Sequence, residues 1–264
     1  MNRLAPSRTT RWIIGIVVGA FFAIPMLSTF LYTLRDGDGF SLVHWAALFD
    51  PAKAALYAPI WTGLTNSLIL AVVTVAIVLF LLTPTMVLVH LRYPRLRPGF
   101  EFLVLLPISI PAIVLVVGLA PIYQQIGRML GTGAWTLAFA YGITVLPFAY
   151  RAIQASIDAV DIRTLSEAAR SLGAGWGTIL LRVIAPNLRT GLLAASLISV
   201  AVVLGEFTIA SLLNRQVFQT ALVVVKNSDG YAAAVFTLLA LAFAFVLLLV
   251  IGFAGRARTG KAGS

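Results

Sequence analysis

Three groups of residues have a type and spacing that could do specific work. Glu206 is the one carboxylate well inside a long apolar stretch, 16 positions past Thr190, or about 24 Å along a helix at 1.5 Å per residue. An ionisable group at such depth is costly and faces a cavity or a partner. Glu206 therefore reads either as a pathway-lining carboxylate or as a structural hydrogen-bonding group to a neighbouring helix, and both readings stand. The second group is Glu167-Ala168-Ala169, then Gly173, then Val183-Ile184-Ala185-Pro186. Its acidic residue, small residues and turn-permitting glycine suit a docking surface rather than bond-breaking chemistry. The third is Gly255 to Ala262, which matches G-x4-G-K but has Ala262 where a phosphate-binding loop needs Ser or Thr for magnesium. No strand pattern precedes it, so the chain is expected to carry no nucleotide site. His44 and His90 lie far apart and there are no cysteines, which leaves no metal-ligand pattern, disulfide framework or iron–sulfur site. No paired-carboxylate, His-cluster or Ser/His constellation suggests an enzyme.

The elements that must hold these residues are apolar. Charged residues make up 11% of the 264 and hydrophobic residues 60%, with a mean hydropathy of +0.99. That excludes an ordinary soluble globule, whose surface needs about 25% charge, and excludes disorder, which is poor in apolar residues. A spanning helix takes about 20 apolar residues. Six segments qualify: about 12–34, 60–89, 102–126, 134–157, 190–213 and 232–254. The second is long enough to tilt or to extend beyond the bilayer, and Pro147 is expected to break the fourth. The first follows Arg3, Arg8 and Arg11, but its apolar run is too long for a signal-peptide core and reads as a retained helix. The expected fold is an all-α integral membrane domain spanning residues 1–264.

The positive charges set the orientation. Fourteen of the nineteen Lys and Arg fall on the N-terminus, the second and fourth loops and the C-terminus; five fall on the first, third and fifth loops. The richer side is cytoplasmic, which predicts both termini inside and accounts for the net charge of +10 without nucleic acid. The fourth loop, 158–189, is then the one long cytoplasmic loop. Its residues Ile157, Val160, Leu165 and Ala168 recur at roughly helical spacing. Gly173 and Gly175 punctuate that run, as glycines do at helix ends, and Ile179–Ile184 follows up to Pro186. The prediction is a helix, a glycine turn and a second helix at the membrane surface. In the fifth span, Gly191, Ala195 and Ser199, then Ala201 and Gly205, recur at spacings of four. Small residues so spaced allow close helix approach, either within the chain or against another subunit.

The EAA-x3-G-x9 spacing, ending here in Val183-Ile184-Ala185-Pro186, resembles the EAA motif of permease subunits of binding-protein-dependent ATP-binding cassette importers of type I. Val183 stands where the family pattern has Ile, and Ala185 where it has Leu. Asn66-Ser67-Leu68, Leu106-Pro107, Ile110-Pro111 and Leu204-Gly205-Glu206-Phe207 also resemble the family, so the resemblance runs over roughly residues 66–252. It implies a six-helix permease fold in the bacterial cytoplasmic membrane, and a coupling helix at the loop of Glu167, Ala168, Ala169, Gly173 and Pro186. The implied partners are two ATP-binding subunits that hold the ATP and magnesium, a second permease subunit identical or different, and an extracytoplasmic substrate-binding protein. Leu204–Leu213 is most similar to the branch that takes spermidine/putrescine, ferric iron, thiamine or aminoethylphosphonate, which suggests a polyamine-like solute. The rival reading is an ATP-independent carrier; the scarcity of intramembrane charge and the long inner loop count against it.

Overall fold

The computed structural model describes residues 7–257. Arg3, Arg258, Lys261 and Ala262, which entered the charge map and the glycine–lysine segment, lie outside them. The described chain is almost entirely helical, with one two-stranded hairpin that pairs Arg35 with Phe40 and Asp36 with Gly39. In chain order the helices are α1 (Arg8–Leu34), α2 (Pro51–Arg92), α3 (Arg97–Leu105), α4 (Ala112–Leu130), α5 (Ala134–Asp158), α6 (Ile162–Ser171), α7 (Trp176–Asn187), α8 (Arg189–Gly205), α9 (Thr208–Leu212), α10 (Phe218–Ser228) and α11 (Gly230–Ala257). Among the described residues α1, α2, α4 and α5 are each long and apolar enough to cross a membrane. The pair α7 and α8, bent by 81°, is a fifth candidate.

Proline explains several departures from the expected segments. The expected third span is split at Pro111, which removes a backbone donor and pushes Ile110 away from helix, whereas Leu106, before Pro107, keeps helical angles (φ −54°, ψ −39°). α3 accordingly ends in a 3₁₀ turn, Ile110 is extended (φ −103°, ψ 119°), and α4 starts at Ala112. Pro147 does not break the fourth span as expected; it is buried within a continuous α5. Pro84 and Pro186 act a third way. Each follows a π-helical stretch, Val78–Leu82 in α2 and Ile179–Ile184 in α7. A wide turn before a proline relieves the clash of its ring with the preceding turn. The Asn187 side chain donates to the Val183 carbonyl at 2.7 Å, and the Thr83 hydroxyl to the Val78 carbonyl at 3.0 Å. α2, at 42 residues, is about 63 Å long, well beyond a hydrocarbon core of about 30 Å.

The chain forms two compact units. Among the described residues, one holds 7–59 together with Leu222–Phe245; the other holds Ile60–Ala221 and 246–257. In the first unit α1 exposes apolar side chains around nearly its whole circumference, Trp12, Ile16 and Phe21 among them, and buries only Thr33. Trp45 donates its indole N–H to the Thr33 hydroxyl at 3.0 Å. Tyr231 lies between Tyr32 and His44, stacked on both. Asp229 caps the start of α11 by accepting from the Ala232 amide at 2.9 Å; Tyr57 donates to the same carboxylate at 3.0 Å, and Lys53 lies 3.8 Å away.

The second unit has two apolar cores, and α5 contributes to both. One core joins the last turns of α2 to Val145, Ile153 and Ile157 of α5 and to Ile162, Ile179, Ile184 and Leu188 of the fourth loop. The other gathers Leu70, Tyr123, Tyr141, Val203 and Ile209. The crossing of α8 on α5 is close because Gly191 has no side chain. A Cβ there would meet the Ser156 hydroxyl, and the Ala152 carbonyl at 2.7 Å. Gly191, Ala195 and Ser199 are buried within this chain, whereas Ala201 and Gly205 are exposed. The first half of the small-residue stripe thus serves intramolecular packing.

Candidate coupling loop and pathway carboxylate

Asp161 starts the loop's first helix. Its carboxylate accepts from the Thr164 amide at 3.1 Å and the Thr164 hydroxyl at 2.7 Å, satisfying a donor that the helix leaves free. These hydrogen bonds hold the Asp161 carboxyl below the usual carboxylate range. Along α6, Ile162 and Ser166 face inward and are buried, while Glu167 and Ala168 are exposed. Glu167 accepts from Arg163 Nε at 3.0 Å. Both partners are well exposed, at 66% and 80%, so this i,i+4 pair contributes little by itself and the carboxylate remains accessible.

Gly173 makes the turn. Its φ is +81°, a left-handed conformation that costs a residue with a Cβ about 1–2 kcal/mol. The Ala174 amide donates to the Ala169 carbonyl at 3.0 Å and the Gly173 amide to the Arg170 carbonyl at 2.9 Å. The long Ala174–Ala169 bond across a left-handed glycine is the mark of a Schellman-type helix end. Leu172, immediately before the glycine, is 88% exposed at the tip of the hairpin. Sequence reasoning did not single it out; the signal available was an isolated leucine directly before a turn glycine.

α7 then returns toward the membrane-crossing helices. Ile179 and Ile184 are buried, Trp176 and Leu181 exposed, and α7 meets α8 at 81° after Pro186. The buried face of the hairpin belongs to the same core as α2 and α5. Close-packed cores have little compliance, so the hairpin is held firmly against α2 and α5 rather than standing as a loose loop. Arg97 and Asp158 form an ion pair at 3.1 Å, and Gln154 donates to Asp158 at 2.8 Å, tying the end of α5 to the start of α3 just before the hairpin.

Glu206 lies in the other core's neighbourhood, so the structure does not bring it together with the hairpin. The helix that carries it is not the expected continuous 190–213. α8 ends at Gly205, Glu206 is extended (ψ 125°), and α9 restarts at Thr208. The Ile209 amide donates to both carboxylate oxygens, at 2.9 and 3.1 Å. That local bond competes with continued helix and is the physical reason for the break. Glu206 remains partly exposed. Beside it is the fully buried Tyr141, whose hydroxyl interacts with the carboxylate electrostatically but has no well-formed hydrogen bond. The turn after α9 uses a second left-handed residue, Asn214 (φ 51°), with the Arg215 amide donating to the Ala210 carbonyl at 2.8 Å.

Among the described residues no group of three or more His, Cys, Asp or Glu side chains could hold a metal ion. Apolar helices long enough to span a bilayer, packed against an amphipathic helical hairpin, define a multi-pass membrane protein. The profile of the family described as binding-protein-dependent transport system inner membrane component matches residues 88–258, and the chain belongs to that family, the type I ATP-binding cassette importer permeases. It is also similar to the spermidine/putrescine transport system permease protein PotB of Haemophilus influenzae, 28% identical over 205 residues, which cover 69% of this chain and 68% of that protein. Membership makes the chain a multi-pass inner-membrane component of a system that includes ATPase and substrate-binding partners.

Proposed function

We propose that this chain is the six-span permease subunit, one membrane domain with both termini in the cytoplasm, of an importer that carries a polyamine-like cation across the bacterial cytoplasmic membrane. The hairpin of α6 and α7 is the observation that carries the reading. Its apolar face packs into the same apolar core as α2 and α5, and its outer face presents Glu167, Ala168 and Leu172 around a left-handed Gly173. In this reading Glu167, Ala168, Ala169, Gly173 and Pro186 form the coupling element that seats in an ATP-binding subunit. Two such subunits hold ATP and magnesium, and closing them drives the hairpin and, through the shared core, α2, α5 and α8. A second permease subunit, identical or different, completes the path, and an extracytoplasmic binding protein delivers the solute. Glu206 is the carboxylate that the cation meets. The partial likeness to PotB and the acidic Glu206 support a cationic substrate over other small solutes.

Affinity purification of the tagged full chain in mild detergent, with mass spectrometry of the co-purifying proteins, tests the assembly. An ATPase subunit with a second permease is expected. Reconstitution with the binding protein should then give ATP-dependent spermidine or putrescine uptake. A chain recovered alone that catalyses uptake without ATP would instead be a secondary carrier.

A further inference from the structure

A cavity of about 480 Å³ opens between the last turn of α2 and the α6–α7 hairpin, with the exposed Glu167 at its border. Its charge is unbalanced. Arg92, Arg163 and Arg170 line it against the single carboxylate of Glu167, and Glu167 is already engaged by Arg163. Among the described residues neither Arg92 nor Arg170 has a carboxylate partner. The rest of the lining is divided. Leu88, Leu91 and Ile179 form an apolar wall, while Ser166, 5% exposed, offers a hydroxyl. Tyr93 and Trp176, both partly exposed, complete the lining.

We infer that this cavity is a binding site for a phosphate-type anion, and specifically for the headgroup of an anionic phospholipid of the cytoplasmic leaflet. Guanidinium groups bind phosphate oxygens in a bidentate way, and basic pockets beside membrane helices on the cytoplasmic side take anionic headgroups. Free phosphate would use the arginines but not the leucine and isoleucine wall, whereas the glycerol and first methylenes of a lipid use both. Tyr and Trp are at home at headgroup depth. The inference rests on the cytoplasmic orientation proposed above. Its consequence is that an acidic lipid clamps the coupling hairpin to the end of α2.

Native mass spectrometry of the detergent-purified full chain, with short-chain phosphatidylglycerol, phosphatidylcholine or inorganic phosphate added, provides the test. The wild-type chain should retain phosphatidylglycerol about tenfold more than phosphatidylcholine. The double variant R92Q/R170Q should lose that preference, and R95Q, which lies outside the cavity, should keep it. A photoreactive phosphatidylglycerol on the wild-type chain checks the place without relying on a variant's folding, and should label peptides covering 88–93 and 175–179. Equal retention of the two lipids, labelling elsewhere, or an unchanged preference in R92Q/R170Q overturns the inference. Displacement of phosphatidylglycerol by equimolar inorganic phosphate makes it a free-phosphate site and overturns the lipid assignment. Displacement by added ATPase subunit makes the cavity a protein-docking socket and also overturns it. Lipid retention without ATPase co-purification would sink the importer assembly but leave the cavity assignment standing; the reverse outcome would do the opposite.

Discussion

Gly173 shows how one backbone angle can shape a helical hairpin. A Cβ at this position would meet nothing within 4 Å, so the cost of substitution is conformational rather than steric. Gly173→Ala should weaken the helix end by about 1 kcal/mol and leave measurable uptake in proteoliposomes. Gly173→Pro cannot reach a φ of +81°, because its ring fixes φ near −65°. It should abolish uptake while the chain still inserts in the membrane at normal yield; uptake at the normal rate would remove the coupling role. Asp161 gives a pH dependence of known sign. Its folded-state pKa is lowered, so its capping contribution is present above the unfolded carboxylate range and is lost as pH falls through the lower folded value. The protection of the amides in the first turn of α6, taken as exchange relative to the intrinsic rate at each pH, should therefore fall on acidification, and Asp161→Asn should flatten that response. For Glu206, the Gln variant keeps one oxygen for the Ile209 amide but loses the charge. Polyamine affinity should fall about tenfold, as expected for a hydrogen bond to a charged group, with the fold retained. Unchanged affinity would reduce Glu206 to the structural cap that its two bonds to Ile209 already make it.

At the scale of elements, the crossing of α5 and α8 depends on Gly191. Gly191→Val should overpack it and destabilise the chain by about 1–3 kcal/mol, read as a lower thermal midpoint in detergent. Gly205→Ala, where a Cβ meets nothing, should leave that midpoint in place. The segment closest to its expected form is α1, where one apolar run decides the outcome; α5 fills its expected range but without the break expected at Pro147. The segments that differ do so for reasons outside local pattern. Pro147 stays helical inside the packed α5, while Pro111, four residues after Pro107, splits its segment. A proline's effect depends on the packing around it, which periodicity does not contain. The break at Glu206 comes from a side chain capturing a backbone amide three residues on, and apolar content over 190–213 gives no warning of it. The helix–turn–helix of the fourth loop was legible because Gly173, Gly175 and Pro186 are all punctuation with a local mechanism; the Asp161 cap came only with the structure. The inward burial of Ile162, Ile179 and Ile184 was not, because it depends on α2 and α5.

At the scale of the whole molecule, two partial sites are held by separate cores of one unit, and α5 runs through both. In the proposed coupling reading, α5 is the one element through which the hairpin and the neighbourhood of Glu206 are connected, without contact between the two. Leu172 adds a consequence for the life of the protein in the cell. A leucine 88% exposed at the tip of a hairpin, on the cytoplasmic side in the orientation proposed above, is the kind of bare apolar residue that chaperones and proteases recognise. It would be covered only when the ATPase arrives. An excess of this subunit over its partners should therefore be short-lived, and its half-life should lengthen when the ATPase is co-expressed or when Leu172 is replaced by Ser. Pulse-chase labelling reads this directly; equal half-lives in all three cases would mean the tip is not what quality control sees. The same side chain that readies the subunit for assembly would then also set how much unassembled subunit the membrane keeps.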